Sequence, residues 1–212
     1  LCAAADLNDE ALSPLAAHGV RTVSDAGELV DADGIDVVVE LIGGTSIARE
    51  LTLRALRAGK SVVTANKALL AECAAELFPK VYEAGLPLGM EASVAGGIPV
   101  LRSLKEGLSG DRILEISGIV NGTCNYILTR MTDEGSAFAE VLKDAQELGF
   151  AEADPTYDVE GIDTAHKLAI LMTIAYGMNI THKEIVTEGI SGIEPIDIDF
   201  AREFGCRIKL LA

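Results

Sequence analysis

The chain has 212 residues, enough for one large domain or two modest ones. Hydrophobic residues make up 49% and charged residues 24%, a globular balance that excludes intrinsic disorder. Seventeen Lys plus Arg against 33 Asp plus Glu give a formal net charge of −16, which argues against nucleic acid or an anionic membrane as partner.

Leu1 to Ala5, Val20 to Val23, Val37 to Leu41, Ser61 to Thr64 and Leu88 to Met90 are short apolar or β-branched runs separated by helical stretches. That alternation predicts a parallel sheet with crossover helices. Ile47–Ala58, closed by Gly59, and the Ala-, Leu- and Glu-rich Leu69–Ala84 are predicted helices. Asp36 to Ile42 lacks polar alternation, as expected of a strand covered on both faces. After Gly96-Gly97-Ile98-Pro99 the regular pattern stops. Val100–Gly107 reads as a helix and Ile113–Val120 as a strand. Asn125–Glu134, Ala137–Leu148 and Asp163–Gly177 read as helices, with an irregular acidic stretch from Phe150 to Glu160. A domain boundary is expected between residues 90 and 100, and a final strand is expected to return to the second sheet.

Every apolar run is interrupted well before the roughly 20 residues that cross a bilayer. Cys2, Cys73, Cys124 and Cys206 form no C-x-x-C pair and read as buried thiols of a reducing cytosol. The runs Leu1–Ala5 and Arg207–Ala212 both fall inside apolar segments, so the chain is expected to be part of a longer polypeptide.

Several motifs admit a chemical reading beside a purely structural one. Asp6 follows the opening strand, where an acid can accept from ribose hydroxyls of a dinucleotide or simply serve a turn. Gly43 and Gly44 follow a buried strand, either to let a cofactor approach the backbone or to make a tight turn. Thr64-Ala65-Asn66-Lys67 ends the next strand at the same sheet edge. Glu91 to Pro99 offers one carboxylate and several carbonyls, suited to a hard cation, or a hinge before a helix. Asn121-Gly122-Thr123-Cys124-Asn125-Tyr126 opens a helix, where its amides and hydroxyl meet an anion or form a capping turn. Asp163 and Lys167, four apart, share a helix face as a solvated ion pair or as a partly desolvated one beside the acidic loop. His166 points about 100° away from Lys167 and reads as a surface residue or as support to the site.

Together these segments resemble homoserine dehydrogenase over nearly the whole chain. The carrying residues are Val39-Glu40-Leu41-Ile42-Gly43-Gly44, Val63-Thr64-Ala65-Asn66-Lys67, Glu91-Ala92-Ser93-Val94-Ala95-Gly96-Gly97-Ile98-Pro99, Gly118-Ile119-Val120-Asn121-Gly122-Thr123, Glu152-Ala153-Asp154-Pro155 and Gly161-Ile162-Asp163-Thr164-Ala165-His166-Lys167. The resemblance implies an α/β fold: a Rossmann-like parallel sheet, truncated at its N-terminus, over residues 1–92, then an α+β catalytic and dimerisation domain over 93–212. It implies NAD- or NADP-dependent interconversion of L-homoserine and L-aspartate 4-semialdehyde in threonine and methionine biosynthesis, by a cytoplasmic homodimer acting on a small amino acid. Lys167 then matches the catalytic lysine, Asp163 its partner, and Lys67 a lysine between cofactor and substrate. Glu152 and Asp158 match substrate-binding acids, with Asn121, Gly122 and Thr123 facing the substrate carboxylate. Asp6, Gly43, Gly44, Thr64 and Lys67 belong to the cofactor side, and Glu91, Val94, Gly96 and Ile98 to a monovalent-cation site, usually sodium. The glycine fingerprint loop is not in the chain, and Ala65 stands where many relatives carry proline.

Two other readings compete. Aspartate-semialdehyde dehydrogenase chemistry needs an activated cysteine, and only Cys124 lies near a motif. A non-catalytic cofactor-binding domain would need no Asp163/Lys167 pair.

Overall fold

β-Branched runs of three or four residues cannot bury themselves, and in the first half of the chain they pair under helices. The computed structural model describes residues 1–212 and divides them into two units, Leu1–Val100 and Leu101–Ala212. The first contains β1 (Ala3–Ala5), α1 (Asp9–Ala17), β2 (Arg21–Val23), α2 (Ala26–Asp31), β3 (Val37–Glu40), α3 (Ser46–Arg57), β4 (Ser61–Thr64), α4 (Lys67–Ala84) and β5 (Leu88–Gly89). Every ladder is parallel, as the alternation predicts: β1 with β2, and β3, β4 and β5 in that order.

Side-chain caps start α1, α2 and α4. Asn8, Asp25 and Asn66 accept from the backbone N–H of Glu10, Gly27 and Leu69 at 3.0, 2.7 and 3.0 Å. The left-handed Gly85, at φ 64°, ends α4. Helix α3 buries Leu51, Ala55 and Leu56 against Val30 and Val62, while its Ala48 and Leu53 pack with Leu69 and Leu77 of α4. One expectation fails here. β3 is not covered on both faces, because Val37 and Val39 are 50% and 58% exposed while Glu40 is buried. The helix packed on β3 covers only one side.

β1 and β3 are not paired, so each keeps an open edge. Helix α2 packs on β1 and β2 and also on α3, which in turn packs on β3 and β4. Helices α2 and α3 thus join the two sheets across the interruption between β1 and β3.

The second unit is helical. Helix α5 (Val100–Arg102) widens into a π-helical turn, Ser103–Gly107, and is followed by α6 (Gly122–Glu134), α7 (Phe138–Glu147), α8 (Thr156–Val159), α9 (Ile162–Tyr176) and α10 (Pro195–Glu203). Cys124, Ile127, Leu128 and Met131 recur at helical spacing on α6 and pack with Val141 and Ala145 of α7, and with Val159, Ile190 and Ile198. Ile113–Val120, expected as a strand, forms no ladder. Its one backbone partner is Ala212, which exchanges bonds of 3.1 and 2.9 Å with Gly118. A strand needs a neighbour to satisfy its amides, and here that neighbour is a single residue.

The segment around Gly189 presses on the α8–α9 junction. The Ile190 N–H donates to Val159 O at 2.7 Å, and the Ser191 hydroxyl donates to Glu160 Oε1 at 2.6 Å. A Cβ on Gly189 would lie 2.5 Å from Val159 O and 2.7 Å from Glu160 Cα, mostly backbone that cannot swing away. Gly189→Ala is expected to cost about 1–3 kcal/mol. A urea midpoint unchanged from the parent protein would contradict this.

Candidate functional site

In the first unit, the carboxyl ends of β3 and β4 meet around Glu40. This residue is 3% exposed. Oε1 accepts from the backbone N–H of Ile42 at 2.8 Å and Gly43 at 3.3 Å and from Asn66 Nδ2 at 3.4 Å, while Oε2 accepts from the Thr64 hydroxyl at 2.6 Å. Thr64 Oγ1 in turn accepts from Asn66 N at 2.9 Å, and Asn66 Nδ2 donates to Gly44 O at 2.7 Å. The loop after β3 and the turn after β4 are thus bound to one carboxylate. Thr64 is buried and its hydroxyl is committed to this network. Gly43 and Gly44 have φ of 81° and 66° with open space where a Cβ would stand, so their backbone is accessible to a ligand. Lys67 opens α4 and is half-buried. Asp6 is exposed at the end of β1, with Oδ1 accepting from Asn8 N at 2.9 Å. Glu40 was no candidate from sequence alone, although an acid closing the run Val37-Val38-Val39 was the available signal.

The turn from Glu91 to Ile98 begins as a 3-10 turn, Glu91–Ser93. Ala95 and Gly96 follow in the left-handed region at φ 59° and 58°. The Glu91, Ala95 and Ile98 carbonyls accept from Val94, Ile98 and Val100 N–H, whereas the Val94 and Gly96 carbonyls accept no hydrogen bond. Val94 is buried and Ile98 exposed.

In the second unit, α9 is apolar enough to bury its first turns, and Asp163 goes inside with them at 1% exposure. Lys167 Nζ donates to Asp163 Oδ2 at 2.6 Å and to Val120 O at 2.8 Å, its side chain 17% exposed. Asn121 sits between two acids: Nδ2 donates to Asp158 Oδ1 at 2.7 Å and to Asp163 Oδ2 at 2.9 Å, while Oδ1 caps α6 at Cys124 N, 2.8 Å away. The four side chains form one network, and the pair is the desolvated alternative rather than a solvated helix-surface bridge. Both polar side-chain atoms of Asn121 are used within the protein, and the Thr123 hydroxyl donates to Phe150 O at 2.9 Å. What α6 leaves for an anion is the backbone N–H of Gly122 and Thr123, which meet no acceptor at the start of a 13-residue helix. Glu152 is exposed on the loop between α7 and α8; its backbone carbonyl accepts from Gln146, and its carboxylate makes no hydrogen bond or ion pair.

Two local readings change. His166 is 2% exposed rather than at the surface, with its ring bonded to the Tyr157 hydroxyl and edge-on to His182 at 4.0 Å between centroids. The cysteines are all free, but only Cys124 is buried; Cys73 is partly buried, and Cys2 and Cys206, outside the helices and strands, are exposed. Burial pushes the Cys124 thiol up to about 12, helped by Asp158, Asp163 and Glu160, and its Sγ–H donates to Asp158 O at 3.2 Å. A thiol so placed stays protonated and is no nucleophile.

A parallel α/β unit with glycines and an acid at its strand ends has the arrangement of the dinucleotide-binding folds, and here it is followed by a unit with a buried lysine–aspartate pair. Residues 1–87 match the family model "Homoserine dehydrogenase, NAD binding domain" and residues 99–212 match "Homoserine dehydrogenase". The chain belongs to the homoserine dehydrogenase family. It is 52% identical over 189 residues to the homoserine dehydrogenase of Neisseria gonorrhoeae, covering 89% of this chain and 43% of that protein. The crystal structure of a homoserine dehydrogenase from Thiobacillus denitrificans superimposes with a TM-score of 0.94 at 49% identity, over 99% of this chain and 48% of the other. A hyperthermophilic archaeal homoserine dehydrogenase in complex with NADPH gives a TM-score of 0.72 at 30% identity, over 83% and 54%. The chain thus spans about half the length of the relatives it matches.

Proposed function

We propose that this chain carries the cofactor-binding part and the proton-transfer residues of an NAD(P)-dependent homoserine dehydrogenase, interconverting L-homoserine and L-aspartate 4-semialdehyde in threonine and methionine biosynthesis. The observation that carries the reading is the buried Lys167, held by Asp163 and the Val120 carbonyl within a family-matched unit. An ammonium has three donors. Two are committed to the protein, and the third protonates the alkoxide that forms at the aldehyde carbon. Bound reduced nicotinamide supplies the hydride. Asp163 keeps the ammonium in place, and Asn121 holds Asp163 and Asp158 together. Glu152 and Asp158 take the substrate ammonium, and the Gly122 and Thr123 amides its carboxylate. The buried, protonated Cys124 disfavours acyl-enzyme chemistry.

On the cofactor side, Asp6, Gly43, Gly44, Thr64 and Lys67 are assigned to the dinucleotide, which in such sheets lies beyond the carboxyl ends of the strands where the strand order reverses. That point falls between β1 and β3, and we assign the open edges there to one further parallel strand from outside residues 1–212. Accessible Gly43 and Gly44 backbone fits such a ligand. Glu91, Val94, Gly96 and Ile98 are assigned to a sodium-type cation, supported by the uncommitted Val94 and Gly96 carbonyls. A homodimer through Ile113–Val120 fits the backbone groups there that, Gly118 and the Val120 carbonyl aside, have no partner. No helix is long and apolar enough to cross a membrane, and the four free thiols fit a cytoplasmic enzyme.

The deciding experiment mixes the full-length polypeptide with L-homoserine and NAD or NADP and follows absorbance of reduced cofactor. Absence of homoserine-dependent reduction with both cofactors would overturn the reading. In that assay Asp6 is expected to favour NAD, since its carboxylate accepts from a ribose hydroxyl and repels a 2′-phosphate. A higher kcat/KM with NADP would contradict it. Glu152→Ala is expected to raise KM for homoserine about 10-fold with kcat little changed, because one charge-assisted contact is lost in ground and transition states alike. An unchanged KM would remove the assignment.

A further inference from the structure

We propose that Glu40 makes the nicotinamide half of the site selective for the oxidised, cationic ring over the reduced, neutral one; this rests on the cofactor reading above. Glu40 is the last residue of β3, where β1 and β3 divide the sheet into the two mononucleotide halves of such a fold. Asp6, after β1, belongs to the adenosine half, and Glu40 therefore to the other.

Glu40 is 3% exposed, yet the four donors to its carboxylate are neutral: two backbone amides, one hydroxyl and one carboxamide. It has no ion-pair partner. Thr64 Oγ1 already accepts from Asn66 N, so its proton is turned toward Glu40 and the network is arranged around a negative charge. Burying an anion with hydrogen bonds alone leaves its charge unneutralised, and a cation arriving nearby gains from it. The surface beside it suits a flat ring: Leu41, Ile42 and Ile47 are 71%, 54% and 59% exposed, and the Gly43–Gly44 backbone between them is open to close approach. The oxidised nicotinamide ring carries a positive charge that the reduced ring lacks, and the field of one buried carboxylate separates them.

The test is binding, not turnover. Dissociation constants of oxidised and reduced cofactor, in whichever of the NAD or NADP series binds, are measured by calorimetry on the full-length protein and on Glu40→Gln, with circular dichroism to check folding. Glu40→Gln can keep the loop bonded through its amide oxygen while losing the charge. It is expected to weaken the oxidised form by about fivefold or more, with the reduced form changed by less than about twofold. Equal weakening of both forms, or no change in either, would overturn the proposal and mark Glu40 as a loop anchor only. Should the variant not fold, the parent protein decides: it is expected to bind oxidised cofactor at least about fivefold tighter than the neutral benzamide isostere, in which carbon replaces the ring nitrogen. Equal affinity for those two would overturn it. Binding of no dinucleotide at all would instead sink the cofactor reading, and this proposal with it.

Discussion

Lys167→Ala in the full-length enzyme is expected to lower kcat by about 10²- to 10⁴-fold, on the order of 3 to 5 kcal/mol, with cofactor affinity nearly intact. The ammonium meets charge that develops on the substrate oxygen only as hydride arrives, so its loss falls on the transition state and not on binding. Asp163→Ala is expected to lie between this variant and the parent, because Lys167 keeps its bond to Val120 O but loses the carboxylate 2.6 Å away. An exposed i,i+4 pair would predict about 0.3–0.5 kcal/mol of stability and no kinetic change. Stopped-flow and steady-state rates on folded protein decide between them, and near-normal turnover by Lys167→Ala would remove the catalytic assignment.

The second large effect lies in the core beneath that site. Leu128 is fully buried on α6, between Cys124 and Met131 on the same face, where α6 meets α7. Leu128→Ala removes about three methylene equivalents and leaves a cavity, for an expected cost of about 2–5 kcal/mol. Leu114→Ala serves as the control, since Leu114 is 81% exposed and its loss is expected within about 0.5 kcal/mol. Chemical denaturation measures both. Similar midpoints for the two variants would mean that the α6–α7 contact does not set the stability of this unit. Because Asn121 caps the same helix, the core and the Asn121–Asp158–Asp163 network are joined through α6.

Much of this was legible locally. Runs such as Val37-Val38-Val39 and Ser61-Val62-Val63-Thr64 have the side-chain shape of strands, and each pairs in parallel as their separation by helices requires. The spacing of Cys124, Ile127, Leu128 and Met131 declares the buried face of α6, and Asp163 with Lys167 falls on one face of α9 by helical period alone. The strand shapes and helix faces depend on neighbours within about two helical turns.

Other features depend on which distant segment arrives. Asn121 is bound to Asp158, 37 residues away, and to Asp163, 42 away, which converts an expected ligand contact into an internal bridge between two acids. Glu40 becomes a buried hub only because Thr64 and Asn66 come alongside, 24 and 26 residues later. His166 is covered by Tyr157 and His182, and one face of β3 stays open because a helix covers only the other. Amino-acid order by itself determined the parallel strands of the first unit, the main helices with their periodic faces, and the family, but not the fate of Ile113–Val120, which lacks a strand partner. Tertiary structure decided which polar groups are desolvated and what they bond to, because burial and hydrogen-bond partners are settled by packing between segments remote in the chain, whereas backbone conformation and facial periodicity are settled by residues a few positions apart.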